Sequence, residues 1–118
     1  MNIEEFRDYC LSLKGAYEKT PFDESTLVFY VKEKMFCLTD ITTFDFINVK
    51  CNPEEAIVLR EQYAEVTPGY HMNKKHWNSI SPHGTISDRL LKEWIRKSYD
   101  LVVSGLSKAK QIELDKED

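Results

Sequence analysis

The sequence has 118 residues and a mass of 13.9 kDa, with 42% hydrophobic and 31% charged residues, a balance typical of one soluble domain that buries a core without disulfides or metal. No apolar run approaches the roughly 20 residues that a bilayer span requires, which excludes a membrane-spanning protein. The formal net charge of −4 is unevenly divided, because residues 1–66 hold 7 Lys/Arg against 13 Asp/Glu while residues 67–110 hold 8 against 3, so the second segment can attract a polyanion over the screening length of about 8 Å.

The first predicted element is a helix over about residues 3–14. Asn2 and Glu5 have the spacing of a capping box, and apolar residues then repeat at helical spacing until Gly15. After this helix the period changes to two, and three alternating segments follow at hairpin spacing: TLVFYVK, MFCLTDI and FDFINVK. They predict a three-stranded antiparallel meander, whose first tip, residues 32–34, lacks the glycine of common tight turns.

A short second helix is predicted to begin after Asn52, with Pro53 at its first position and Glu55 closing a capping box. The Pro68-Gly69 pair then indicates a tight turn. The alternating segment HWNSI predicts one or two more strands, of which this one lies at the edge of the sheet.

The third and longest helix is predicted to begin at Ser87 and to bury an apolar stripe that includes Trp94. Opposite this stripe runs a basic stripe of Arg89, Lys92 and Arg96. An ordinary solvated face, with the ion pairs Arg96–Asp100 and Glu93–Lys97, is the alternative interpretation of these charges. The residues from about 108 to 118 read as a polar tail.

This order of elements predicts an α+β protein with a single domain over residues 1–118. An antiparallel sheet would be covered on one face by the N-terminal and C-terminal helices, giving a two-layer sandwich with a short middle helix. No repeat, low-complexity run or interdomain linker divides the chain.

The cysteines and the N-terminus predict a cytoplasmic protein. Cys10, Cys37 and Cys51 are odd in number, lack CxxC spacing and lie in apolar or strand-like sequence, which is typical of buried, reduced thiols. The N-terminus, MNIEEFRDYC, is acidic and has no apolar segment of the kind that a secretory signal contains.

The run PGYHMNKKHWNSI, together with FDFINVKCNPEEAIVLREQY before it and LLKEWIRKSYDLVVSGL after it, resembles the MmcQ/YjbR family of small bacterial proteins. The resemblance covers about residues 1–107. It implies a frataxin-like (CyaY-like) α+β fold and DNA binding through two β wings. The chain departs from the family pattern in its charged first hairpin tip and its acidic end.

A basic loop framed by aromatic residues is the leading candidate site. Lysines and backbone N–H groups in a turn can meet phosphate while aromatic rings stack or pack nearby. We therefore expect a non-enzymatic module that binds nucleic acid weakly, without cofactor, and in a salt-sensitive way. Four to six phosphate contacts would give a slope of about −4 to −5 in log affinity against log salt for duplex DNA. The candidate contacts are Tyr70, His71, Asn73, Lys74, Lys75, His76, Trp77, Arg89, Lys92 and Arg96.

Two alternatives use the same segment. A protein-interaction or small-anion module would have Tyr70, His71 and Trp77 lining a pocket in which the lysines orient a carboxylate or phosphate ligand. An enzyme would use His71 or His76 as a base, and would require a carboxylate next to that imidazole. The aromatic rings also have a structural interpretation, as core between sheet and helices. The sequence identifies no protein partner.

Metal binding is not predicted. The histidines lie at positions 71, 76 and 83, and this spacing fits neither a helical i, i+4 pair nor a pair on one strand face. The acidic residues on and near the first helix are interpreted as a solvated face, because fold resemblance does not transfer iron chemistry. They are Glu4, Glu5, Asp8, Glu18, Asp23 and Glu24.

Overall fold

Residues 1–117 are described by the computed structural model of the protein, and they form four helices and six strands. The helices are α1 (Ile3–Ser12), α2 (Pro53–Gln62), α3 (Asp88–Ser104) and α4 (Lys108–Asp115). The strands are β1 (Tyr17–Lys19), β2 (Thr26–Val31), β3 (Lys34–Asp40), β4 (Ile47–Lys50), β5 (Val66–Pro68) and β6 (Trp77–Ile80). The predicted α+β class is confirmed. None of the helices in this part of the chain is both long and apolar enough to span a bilayer.

Each helix begins after a residue whose side chain accepts a hydrogen bond from the first turn: Asn2, Asn52, Ser87 and Ser107. Asn2 and Glu5 form the predicted capping box. At α2, Asn52 accepts from Glu54 N over 3.0 Å, whereas Glu55 forms an ion pair with Lys97 at 3.1 Å. Lys97 therefore pairs across two helices, and its predicted pairing with Glu93 along one helix is wrong.

The six strands form one antiparallel sheet with the order β1-β2-β3-β4-β6-β5. The meander of β2, β3 and β4 is as predicted. β1 adds a strand that the sequence did not indicate, and it pairs with the free side of β2. β6 contains most of the HWNSI segment and lies between β4 and β5, so its prediction as an edge strand is wrong. The edge on this side of the sheet is β5, where Pro68 lacks the N–H that a further strand would need.

Helices α1 and α3 cover one face of the sheet. Phe6 of α1 contacts Phe29 at 5.3 Å between ring centroids, and Tyr99 of α3 contacts Phe36 at 5.4 Å, both edge to face. Trp94 is buried, as predicted. All three cysteines are free and buried, which confirms the expected burial.

One buried hydroxyl ties α3 to the sheet. Ser98 is fully buried, and its Oγ donates to the carbonyl of Phe36 in β3 and accepts from Lys50 N in β4 over 2.8 Å. Because both partners are backbone groups, this contact fixes the height of α3 over the two strands.

Most of the segment interpreted as a polar tail forms α4 instead, over Lys108–Asp115; residue 118 lies outside the described residues. Ser107 caps the helix, and Leu114 is only 4% exposed against the rest of the core. Lys32, at the tip of the β2–β3 hairpin, lies 3.5 Å from Glu113 and 3.3 Å from Glu117. Lys32 and Glu33 both have positive φ (46° and 68°), so non-glycine residues form this tight turn. The tip is docked against the C-terminal region.

Candidate nucleic-acid interface

The segment 69–76 joins β5 to β6 and contains two consecutive turns. Gly69 N donates to Trp77 O over 2.8 Å, which continues the pairing of the two strands, and Met72 N donates back to Gly69 O over 3.2 Å. In the second turn, Trp77 N donates to Asn73 O over 3.0 Å. A side chain at position 69 would not fit, because its Cβ would lie 2.7 Å from the Cβ of Trp77. The loop lysines, Lys74 and Lys75, therefore lie in a turn, as expected.

Arg60 of α2 clamps this second turn. Its Nε donates to Asn78 Oδ1 over 2.7 Å, and its terminal NH2 donates to the carbonyls of Lys74 and Trp77, the latter over 3.2 Å. Asn78 is fully buried and is itself held through a bond from its amide to Ala56 O at 3.3 Å. Sequence reasoning missed Arg60, because its partners lie 14 to 18 positions along the chain.

A second, buried network fixes the first turn. Asn48 is fully buried, and its Nδ2 donates to Tyr70 O over 2.9 Å. Ser79 Oγ donates to Asn48 Oδ1 and accepts from Tyr70 N over 2.8 Å. The backbone of Tyr70 is therefore bonded on both sides to polar groups on the sheet face opposite the helices, and buried networks of this kind hold a loop rigidly.

The two lysines of the loop differ in their contacts. Lys74 is exposed, and its ammonium donates a hydrogen bond to Gly69 O over 3.0 Å. The sequence had suggested an ammonium group without a partner in the fold. Lys75 is exposed, and its backbone N donates to Asn73 Oδ1 over 2.9 Å. Within residues 1–117, neither ammonium forms an ion pair with a carboxylate.

A depression of about 360 Å³ lies beside this loop. Lys34, Lys50 and Trp77 line it, with apolar residues from the end of α3 on the other side. No acidic side chain of the described residues lines it, and neither lysine has a carboxylate partner there. Trp77 is 8% exposed, so most of its indole is core and only its margin faces the depression.

Strand pairing connects the depression to the loop. Cys51 N donates to His76 O over 2.7 Å, which brings Lys50 and Lys75, the neighbours of those two residues in the chain, to the same end of the β4–β6 pair. Sequence reasoning missed Lys34 and Lys50, since they lie in strands predicted separately from the loop. We call these four residues the lysine surface: Lys34, Lys50, Lys74 and Lys75.

The basic stripe of α3 lies elsewhere. Lys92 is placed over the ring of Tyr9 in α1, with 5.7 Å between its Nζ and the ring centroid. Arg96 forms the predicted ion pair with Asp100, at 3.1 Å. Arg89 is twelve residues from Leu101, which lines the depression, and a helix rise of 1.5 Å per residue separates them by about 18 Å. The structure therefore does not join this stripe to the lysine surface.

Tyr70 and His71 do not line the depression either. Both line a groove of about 480 Å³ whose charged side chains are Asp23 and Asp40. Trp77 does not line this groove, so the pocket expected from Tyr70, His71 and Trp77, with lysines as anion ligands, is divided by the structure into two sites of opposite charge.

The histidines have no catalytic partner in the described part of the chain, since no carboxylate oxygen lies within 4.0 Å of His71 or His76. His83 instead contacts Phe44 edge to face at 5.7 Å. Across residues 1–117, no three His, Cys, Asp or Glu side chains are grouped so that they could hold a metal ion. Two carboxylates of the acidic face are bonded within the fold: Glu18 to Arg7, and Asp23 to Ser25 and Thr26.

Two Escherichia coli proteins are similar to this chain over most of its length. YbdF of Escherichia coli O157:H7 is 41% identical over 92 residues, which cover 77% of this chain and 75% of YbdF. YjbR of Escherichia coli K12 is 28% identical over 112 residues, or 94% of this chain and 95% of YjbR. The names of these relatives state no activity or ligand.

Solved structures agree with this assignment. A Deinococcus radiodurans crystal structure described with the domain DUF419 has a TM-score of 0.90 at 40% identity, covering 97% of this chain and 88% of that one. A Pseudomonas syringae crystal structure has a TM-score of 0.74 at 26% identity, covering 86% and 98%. The YjbR family model matches residues 11–101. The chain therefore belongs to the YjbR family, as its resemblance in sequence had implied.

Proposed function

We propose that this protein is a non-enzymatic nucleic-acid-binding module that contacts phosphate groups through the lysine surface. The observation that carries the proposal is that Lys34 and Lys50 line one depression beside the loop of Lys74 and Lys75, and that none of the four lysines has a carboxylate partner among residues 1–117. An ammonium group that is paired with a carboxylate attracts an incoming polyanion only weakly. These four have no carboxylate partner, so their positive charge can act on the polyanion.

Rigidity of the loop supports the same proposal. Arg60 fixes the carbonyls of Lys74 and Trp77, so the backbone beneath Lys75 is already ordered before a ligand arrives. Less ordering entropy is then lost on binding. Contacts of this kind are made to phosphate and sugar and carry no sequence information, so we expect little sequence preference.

The test is a titration of fluorescently labelled DNA at low salt, read by anisotropy. The double variant Lys50→Gln with Lys75→Gln should weaken binding by about tenfold or more, because two phosphate contacts are lost. Arg89→Gln with Lys92→Gln removes the same charge from the α3 stripe and should have a much smaller effect. Absence of affinity in the wild type, or an equal loss in both double variants, would refute the proposal.

A second candidate is a small-anion site in the same depression, favoured by its concave shape beside Lys34 and Lys50. Ligand length separates the two functions. A nucleic-acid surface binds a 20-nucleotide strand far more tightly than a mononucleotide, because each additional phosphate contact adds to the affinity. A small-anion site would bind the two with similar affinity.

A further inference from the structure

The groove lined by Tyr70 and His71 has the size and lining of a ligand site. The sequence predicted no pocket with this lining, and the proposed function does not involve it. Its volume of about 480 Å³ lies within the range of about 300–1,000 Å³ for small-molecule pockets. An adjoining cavity shares Asp40, Phe46 and Tyr70 with it. We call the combined cavity the aromatic groove.

Aromatic rings form its walls and remain open to solvent. Phe22 is 67% exposed and Tyr70 is 55% exposed, which is unusual for large rings in a concave site without a partner. Phe46 contacts Tyr70 at 5.5 Å between centroids, and Tyr70 contacts His71 at 4.0 Å. Leu38 of β3 contributes to the same apolar lining.

Hydrogen bonds to buried side chains fix the backbone that carries the aromatic wall. Asn48 and Ser79 bond the backbone of Tyr70 on both sides. His71 has a φ of 57°, in the left-handed region that non-glycine residues rarely occupy. Such strain persists only where the surrounding structure imposes it, and it is frequent at ligand sites.

The charges that line the groove are all negative. Asp23, Asp40 and Asp45 are among its lining residues, whereas no Lys or Arg of the described residues is. Backbone N–H groups fix the carboxylates: Asp40 Oδ1 accepts from Thr42 N over 2.8 Å. Hydrogen bonds from Thr26, and then from Ser25, hold the pKa of Asp23 below its usual value, so this carboxylate is ionised at neutral pH.

We propose that the aromatic groove binds a small organic cation, an amine or quaternary ammonium group carried on an apolar body. The carboxylates offer charge pairing to the cation, and the ring faces offer cation–π contact. The apolar lining takes the body of the ligand. The proposal does not rest on nucleic-acid binding, because none of the four lysines lines the aromatic groove.

The test uses three probes that share a phenethyl group: phenethylamine, 2-phenylethanol and 3-phenylpropionate. Each is titrated into the ¹⁵N-labelled protein and followed by amide chemical shifts. Phenethylamine should bind at least about tenfold more tightly than 3-phenylpropionate, with shifts centred on residues 22–26, 38–46 and 70–72. The neutral alcohol should fall between them.

Variants test the contribution of the carboxylates separately from that of the aromatic rings. Asp40→Asn keeps an oxygen for Thr42 N and should weaken phenethylamine binding while leaving 2-phenylethanol unchanged. Tyr70→Ala should weaken both probes. Matched controls are Glu54→Gln and Ile57→Ala on the exposed face of α2, which should change neither affinity. Each variant is first checked for an unchanged amide spectrum away from the groove.

Two outcomes would overturn the proposal: equal affinity for the cation and the anion, or shifts confined to residues outside the groove. Failure of all three probes to bind at about 10 mM would also overturn it, since a site of this size and charge should hold an aryl cation at millimolar affinity. The Lys50→Gln, Lys75→Gln variant should bind phenethylamine as the wild type does, so loss of DNA binding and loss of amine binding are distinguishable.

Discussion

A single side chain, Arg60, ties the second helix to the turn that carries two of the lysines. Its three bonds reach a buried amide oxygen and two backbone carbonyls. Helical periodicity places Arg60 on α2 but does not reveal which loop crosses that helix. The signal for such a residue is absent from local sequence, because the contact depends on how β5 and β6 return past α2.

Arg60→Met retains the apolar stem and removes the donors. We expect it to lower the free energy of unfolding by about 1–3 kcal/mol, because Asn78 Oδ1 and a neighbouring carbonyl lose their partner in a buried position. Urea denaturation measures this loss. Arg89→Met on exposed sequence is the control, with an expected change within about 0.5 kcal/mol. Equal stability of the two variants would show that Arg60 is not a clamp.

The buried thiol of Cys51 gives a prediction in pH. Burial, and then the nearby Glu55, raise its pKa from an ordinary value of 9.0 to about 11. The neutral thiol is thus favoured in the fold, so its contribution to stability is present below pH 9 and is lost as the pH rises toward 11. Alkylation of Cys51 by iodoacetamide, followed by mass spectrometry, should be slow at pH 8.5 in the native protein and fast in urea. Rapid native alkylation at pH 8.5 would contradict this.

At the scale of elements, helix caps and hydrophobic periodicity predicted more of the helices and strands than amino-acid composition did. The first three helices are capped by Asn2, Asn52 and Ser87 as expected, because a cap is a local signal in the sequence. β1 escaped prediction because its three residues are too short to show an alternation. α4 escaped because its sequence is polar and only one of its residues, Leu114, is buried. Position in the sheet, edge or interior, depends on pairing with distant strands.

Leu114 tests whether α4 is part of the fold. A Cβ at position 15 would lie 2.5 Å from Leu114 Cδ1, so the leucine packs directly against Gly15. Leu114→Ala should cost about 2–5 kcal/mol, as for other buried leucines, measured by urea denaturation. Ile112→Ala, on an exposed position of the same helix, should cost much less. If the two variants lose equal stability, α4 is not docked through Leu114.

At the scale of the molecule, the fold places lysines of the acidic segment next to the loop of the basic segment. Lys34 and Lys50 belong to the acidic segment 1–66, yet they lie beside the basic loop. Arg89 and its neighbours belong to the basic segment but lie apart from it. A sum of charge along the chain indicated the basic loop but not Lys34 and Lys50, which lie beside it because β3 pairs with β4 and β4 pairs with β6.

Four lysines on one surface also give a definite salt dependence. Each phosphate contact on duplex DNA contributes about −0.9 to the slope of log affinity against log salt, so four contacts predict about −3.6. This is shallower than the slope of about −5.4 that six contacts including the α3 stripe would give.

The most direct measurement is this slope, obtained by anisotropy titrations of duplex DNA over a series of salt concentrations. We predict about −3.6 for the wild type, about −1.8 for Lys50→Gln with Lys75→Gln, and an unchanged slope for Arg89→Gln with Lys92→Gln. A wild-type slope near zero, or one that falls only when the α3 stripe is neutralised, would contradict phosphate contact through the lysine surface.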